Sequence, residues 1–265
     1  MPELIYPEPL NDFSCEQVTL LGETKLVYIM GSGPAVIVMS EMPGIYKHVA
    51  DFARRIVDAG FTVFMPHMFG EVGRPPSTGY IVKSIAKACI SKEFSAFAAN
   101  KSSPIVDWLR ALAKDAHERC GGPGVGAIGM CFTGNFALNL MLEPAVLAPV
   151  LSQPSLPLMN ASGLHIAPDE LSQVKTRLID EDLTVLGFRF DGDPMCKQAR
   201  FKAYEDALGD RFIGSTLPDS AANSNGPAPA HSVVTLHLID EEGEPTRQAL
   251  DDIIQFYQHR LKGDS

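Results

Sequence analysis

The sequence is short of positive charge. It sets 22 Lys and Arg against 32 Asp and Glu, a formal net charge of −10 over 265 residues. That balance repels a phosphate backbone or an anionic bilayer, so neither nucleic acid nor membrane is an expected partner; only a local basic pocket stays open. Cysteine is scarce and unpatterned. Cys15, Cys89, Cys120, Cys131 and Cys196 are odd in number, widely spread and form no CxxC pair, which argues against a disulfide framework or a structural zinc knuckle. No apolar run approaches the roughly 20 residues that span a bilayer. The opening segment Met1–Leu10 has neither a basic start nor an apolar stretch, so no secretion signal is expected. No internal repeat is visible. These absences predict a cytoplasmic protein with reduced thiols, and they leave one question: whether any of the five thiols is reactive.

What is present is ordinary globular material: 45% hydrophobic and 20% charged residues, with 22 Gly and 20 Pro, enough for a sizeable core. The length suits one α/β domain over residues 1–265. From about residue 25 onward, strand and helix patterns alternate. Ala35–Met39 is a short apolar run that reads as a strand buried on both faces. Residues Lys47–Ala59 carry Val49, Phe52, Ala53, Ile56 and Val57 at helical spacing. Phe61–Pro66 is again strand-like, and Met68–Tyr80, rich in Gly and Pro, reads as a loop. Ser103-Pro104 resembles an N-cap with proline behind it, opening a helix that presents Ile105, Trp108, Leu109, Leu112 and Ala116 on one face. Strands are expected at Gly124–Gly129, Val146–Leu151 and Leu183–Phe190, and helices after Cys131, over Ala199–Leu208 and over Thr246–Lys262. The alternation predicts a mostly parallel central sheet with helices on both faces. Ser152–Asp169 and Pro218–Ala230 are expected to be long surface loops, and long loops in compact domains are often functional.

Chemistry in such a sheet gathers at the carboxyl ends of the strands. Cys131 stands at one of them, in Gly129-Met130-Cys131-Phe132-Thr133-Gly134. This G-x-C-x-x-G pattern is close to the nucleophile elbow G-x-S-x-G, with cysteine for serine and one residue inserted. A sharp strand-to-helix turn needs small flanking residues where backbones crowd. It also sets the sulfur at a helix N-terminus, which favours thiolate, and frees the Phe132 amide to donate to an oxyanion. Most cytosolic cysteines are simply buried small side chains; here the glycines and the strand end favour function. Asp193 follows a strand in Asp191-Gly192-Asp193-Pro194 and can orient an imidazole, although the segment is equally turn chemistry and Asp191 competes for the role. His231 lies at the end of the Pro218–Ala230 loop, just before the apolar run Val233–Leu238. His67, after a strand, is the fallback base, whereas His48 and His259 fall in helical patterns. The order nucleophile, acid, histidine, each at a strand end, is that of the α/β-hydrolases. In that architecture the loop after Ala35–Met39 supplies a second oxyanion donor, here the Met42 amide, and it also carries Glu41, which by itself reads as a solvated loop glutamate.

Together, Ser40-Glu41-Met42-Pro43-Gly44, the Cys131 elbow, Gly192-Asp193-Pro194, Ala230-His231-Ser232 and the Gly60–Pro66 strand resemble the dienelactone hydrolase family, a cysteine branch of the α/β-hydrolase fold. The resemblance covers most of the chain from about Val36 onward. It implies Cys131 as nucleophile, His231 as base and acid, Asp193 as the residue orienting His231, and Glu41 as a partner of the Cys131 thiol. It implies opening of a small-molecule ester or lactone through a thioester, with no metal and no organic cofactor. One position departs: where the dienelactone enzymes have an arginine four residues after the histidine to hold a substrate carboxylate, this chain has Thr235. The second such arginine belongs to the region after Tyr80, where no counterpart is assigned. Two other readings compete: a hydrolase fold used only for binding, and a thiol–carboxylate redox or amidotransferase-like protein, which leaves the Asp193–His231 order unexplained. Gly31-Ser32-Gly33 precedes a strand instead of following one, the wrong context for dinucleotide binding.

Overall fold

The computed structural model describes residues 10–94 and 96–263. Eight strands form one sheet: β1 (Ser14–Leu20), β2 (Glu23–Gly31), β3 (Ala35–Met39), β4 (Thr62–Pro66), β5 (Val125–Met130), β6 (Val146–Ser152), β7 (Val185–Phe190) and β8 (Phe212–Leu217). Their spatial order is β1-β2-β4-β3-β5-β6-β7-β8. β2 runs antiparallel to both β1 and β4, while every pairing from β4 through β8 is parallel. This is the α/β-hydrolase fold. β1 and β2 are joined by Leu21-Gly22, both at positive φ (52° and 83°), the two-residue turn whose twist suits a hairpin.

The helices are α1 (Lys47–Asp58), α2 (Thr78–Ile90), α3 (Ile105–Cys120), the single-turn α4 (Phe136–Asn139), α5 (Pro168–Asp180), α6 (Gln198–Leu208) and α7 (Pro245–Lys262). Strand side chains alternate between the faces. Ala35, Ile37 and Met39 pack with residues of α3, α4, α5 and α6, whereas Val36 and Val38 pack with residues of α1 and α7. Because both faces are covered, every residue of β3, β4, β5 and β7 is buried, which is why these strands read as mostly apolar runs, β7 broken by the buried Arg189. At Gly126 a Cβ would come within 2.8 Å of the Tyr257 ring, so α7 lies close against β5.

Several expectations need correction. The hairpin β1–β2, strand β8 and helix α5 go beyond the predicted elements. Helix α2 begins at Thr78, inside the stretch expected to be loop. Ser103 does not cap α3: its hydroxyl meets the Phe94 carbonyl and His165 Nε2 instead.

Candidate active site

Cys131 begins the single 3₁₀ turn Cys131–Thr133 that leaves β5. Its φ is +53°, a region that non-glycine residues enter only when the surroundings hold them there. Crowding explains the flanking glycines. A Cβ at Gly129 would sit 2.1 Å from the Thr133 carbonyl oxygen, and one at Gly134 would sit 2.4 Å from Pro154 Cα. Thr133 locks the elbow: its hydroxyl accepts from the Met130 amide at 2.9 Å and donates to the Met39 carbonyl at 2.9 Å. The end of β5 is thereby tied to the end of β3 and to the loop that carries Glu41 and Met42. The bonds closing the two loops run from Gly134 N to Cys131 O and from Gly44 N to Glu41 O, so neither consumes the Phe132 or Met42 amide.

Cys131 is 5% exposed. Ser155 Oγ lies 3.6 Å from its sulfur, and the Ser155 amide donates to the Cys131 carbonyl at 2.9 Å. An aromatic wall stands beside the elbow. The Phe69, Phe94 and Phe132 rings meet pairwise, with centroids 4.8–5.7 Å apart. Beyond Phe69 and Phe94 opens a cavity of about 580 Å³ that is also lined by Arg74, Lys83 and Lys87.

His231 and Asp193 come together across 38 residues of chain. His231 Nδ1 is 2.7 Å from Asp193 Oδ2, and Asp193 Oδ1 accepts from the amides of Met195 and Cys196 at 2.8 and 3.1 Å. Asp193 is 2% exposed. Asp191, the competing acid, has a side chain 76% exposed and lies 3.3 Å from Arg189. His231 Nε2 is buried with no hydrogen-bond partner, and Cys131 and Asp193 are the groups that act on the ring. Burial lowers the affinity of this imidazole for a proton. A negative charge on Cys131, the Asp193 hydrogen bond and the contact with Cys131 outweigh burial and raise its pKa well above 6.5. His67 lies elsewhere, its Nε2 on the Gly70 carbonyl.

Glu41 is 1% exposed rather than solvated. Four side chains converge on it: Tyr46 Oη at 2.5 Å, Gln153 Nε2 at 3.1 Å, Ser232 Oγ at 2.7 Å, and the Thr235 hydroxyl. None is a cation, and the Cys131 thiol is not among these donors. Burial and the neighbouring Glu41 charge raise the Tyr46 phenol well above its usual range, so it remains a donor. Thr235, standing where the dienelactone enzymes carry an arginine, thus serves Glu41. The region after Tyr80 supplies no substitute, because the chain has no arginine between Arg74 and Arg110. Arg74 is stacked 4.1 Å over the Tyr80 ring and paired with Glu71 at 2.8 Å; Arg110 is engaged by Asn139, Asp107 and Glu170.

Sequence reasoning missed Tyr46, Thr133, Gln153, Ser155 and Ser232. Gln153 had a faint local signal, a φ of +36° directly after β6, but the sequence does not display φ. Burial raises the Cys15, Cys89 and Cys196 thiols above the usual range. Among the described residues no cluster of His, Cys, Asp and Glu has metal-ligand geometry, and no helix is long and apolar enough to cross a membrane.

Comparison with known proteins identifies the family and the fold. The sequence pattern of the dienelactone hydrolase family matches residues 23–207. No curated protein matches by sequence. Among solved structures, a Klebsiella pneumoniae protein assigned as a dienelactone hydrolase superposes with a TM-score of 0.60 at 16% identity, covering 96% of this chain and 100% of that one. A dienelactone hydrolase-like promiscuous phosphotriesterase from metagenomic libraries gives 0.59 at 18% identity, covering 94% and 99%. A cold-adapted esterase from an Arctic intertidal metagenomic library gives 0.60 at 15% identity, covering 93% of each chain. Identities this low speak for the fold alone.

Proposed function

The chain belongs to the dienelactone hydrolase family, a family of ester hydrolases, and from that premise we propose that it cleaves small esters or lactones through a thioester on Cys131. The observation that carries the reading is the meeting of three groups: a cysteine held at φ +53° in a glycine-flanked elbow after β5, an imidazole on which Cys131 acts, and a buried carboxylate 2.7 Å from the Nδ1 of that ring.

In this scheme His231 takes the proton of the Cys131 thiol as substrate is engaged, which leaves a thiolate beside an imidazolium. The thiolate attacks the substrate carbonyl carbon, and the carbonyl electron pair moves onto oxygen against the Phe132 and Met42 amides. Each such donor is worth about 2.7–4 kcal/mol to a transition state. As the tetrahedral intermediate collapses, the C–O bond breaks and the alkoxide takes the proton from His231 Nε2. The negative charge on Cys131 is now consumed in the C–S bond. That removes the largest influence raising the His231 pKa while burial continues to lower it, so the same imidazole becomes a base. It takes a proton from water, hydroxide adds to the thioester, and the carboxylic acid departs as Cys131 leaves as thiolate. Every proton is handled by side chains of the chain, a scheme that calls for no cofactor and fits a reducing, cytoplasmic setting. A lactone would open to a tethered hydroxy or keto acid.

The substrate we propose is uncharged near the reacting carbonyl. Thr235 at the arginine position donates to Glu41, and the aromatic wall of Phe69, Phe94 and Phe132 suits an apolar acyl group. The test is turnover of a panel of p-nitrophenyl esters and enol-lactones, with and without a carboxylate. Neutral members should be preferred, and Cys131→Ala should abolish turnover; wild-type turnover in that variant would overturn the reading.

A further inference from the structure

His231 sits in a long connection between β8 and α7 that has no strand or helix around it. Something other than a ladder must therefore fix its backbone. The group that does so is His237, 2% exposed. Its Nδ1 accepts from two successive amides, His231 N at 3.3 Å and Ser232 N at 3.0 Å. A ring nitrogen that accepts carries no proton, so the proton is on Nε2, and Nε2 reaches the Pro227 carbonyl at 2.8 Å. The His237 backbone closes the same unit: its amide donates to Ser232 O at 3.0 Å and its carbonyl accepts from Asn223 N at 3.0 Å. The ring is packed from two sides. A Cβ at Gly226 would lie 2.6 Å from its Cδ2, and the Phe190 ring meets it edge-on at 5.9 Å.

We propose that His237 is a positioning residue for the reaction at Cys131: its neutral ring, protonated at Nε2, holds the His231 and Ser232 amides through Nδ1 and so aims the catalytic imidazole. The proposal rests on the Cys131 thioester reading, since it concerns the aim of that reaction's base. Charge around the ring is consistent with it. Glu41, Asp193 and His231 are the titratable groups acting on His237; burial, aided by His231, outweighs the Pro227 carbonyl, Glu41 and Asp193 and lowers its affinity for a proton. Protonation at Nδ1 would turn the acceptor into a donor facing two donors, and the grip on His231 would be lost.

Three variants separate positioning from simple packing. His237→Asn keeps an acceptor at the δ position; His237→Gln moves the polar group outward and leaves the δ position without one; His237→Leu removes polarity altogether. We expect His237→Asn to retain kcat within about threefold, and His237→Gln and His237→Leu to lose on the order of 10²-fold in kcat with KM within about twofold, as for a displaced catalytic group. The rate of Cys131 alkylation by iodoacetamide against pH should shift in the Gln and Leu variants and not in Asn. Wild-type kcat and an unshifted alkylation profile in His237→Leu would overturn the proposal, as would equal losses in Asn and Leu. Should the Leu and Gln variants not fold, long-range proton–nitrogen NMR of histidine-labelled wild type decides: an Nε2–H tautomer for His237 supports the proposal, and an Nδ1–H or doubly protonated ring near neutral pH overturns it. Alkylation and NMR need no ester turnover, so an inactive wild type would count against the thioester reading and leave the His237 test intact.

Discussion

At His231 and at His165 the chain builds similar arrangements from different chemistry. His165 is fully buried and the His231 side chain is 15% exposed; each has Nδ1 on an oxygen, and each has a small side chain of nucleophile type acting on its ring: Cys131 for His231, and Ser103, 2.7 Å from Nε2, for His165. The oxygen on Nδ1 is the Asp193 carboxylate in one case and the Ala98 carbonyl, at 3.1 Å, in the other. The neighbouring charges differ in sign as well. His231 lies beside Asp193 and Cys131, whereas His165 lies near Arg200, a buried guanidinium held by the carbonyls of Gly163 and Pro157. The outcomes diverge accordingly. Burial, opposed by carbonyl hydrogen bonds and aided by Arg200, takes His165 down to about 4, while His231 is raised. A hydroxyl and an imidazole in contact do not make a catalytic pair; the charge behind the imidazole does.

Removing the imidazole is the strongest way to break this comparison. His231→Ala should lower kcat/KM on an activated ester by at least about 10³-fold, whereas Ser103→Ala should change it by less than about threefold. Steady-state kinetics on both variants measures the contrast, and comparable losses would dissolve it. Next in size is the carboxylate. Asp193→Asn should cost about 10²–10⁴-fold in kcat and remove much of the upward shift of His231, whereas Asp191→Asn, at the surface, should stay within about twofold. A loss confined to Asp191→Asn would reverse the assignment of the acid.

The smallest effect sharpens the comparison through stability. His165 in the folded chain takes a proton only near pH 4, below the ordinary 6.5. As pH falls, the unfolded chain binds that proton first, so stability present above pH 6.5 drains away between about 6.5 and 4. The loss is about 3 kcal/mol. His231 has the opposite sign: its contribution is complete below 6.5 and disappears as pH rises through its raised folded-state value. Urea midpoints against pH should show an acid slope that is reduced in His165→Gln; an unchanged slope would contradict the account of His165.

Much of the fold was legible because burial on both faces erases polarity from a strand. β3, β4, β5 and β7 are buried throughout, and each appears in the sequence as a mostly apolar run, with Arg189 the charged exception in β7. β1, an edge strand, has no fully buried residue, and α5 buries only Val174 and Leu178, so their periodic signals are faint. In β8, Gly214 and two exposed positions dilute the pattern. At the site, Cys131 and Asp193 were legible because they follow β5 and β7 in the hydrolase order; the strand end expected at His231 is not there, since Val233–Leu238 forms turns and not a strand. Tyr46, Gln153, Ser232 and Thr235 share one carboxylate although Ser232 and Thr235 lie 191 and 194 residues from it in the chain. No local pattern encodes such a meeting. The solvated role expected of Glu41 failed for the same reason: the donors that make its burial tolerable come from distant segments.

The central claim is that the sulfur of Cys131 forms the covalent intermediate. Its most direct test is to quench the wild-type protein with p-nitrophenyl acetate in the first turnover, then map the acetyl group by mass spectrometry. The account predicts one acetyl per chain on Cys131, and none in Cys131→Ala. An acetyl group on Ser155, whose hydroxyl lies 3.6 Å from that sulfur, or on Ser103, or turnover that persists in Cys131→Ala, would contradict it.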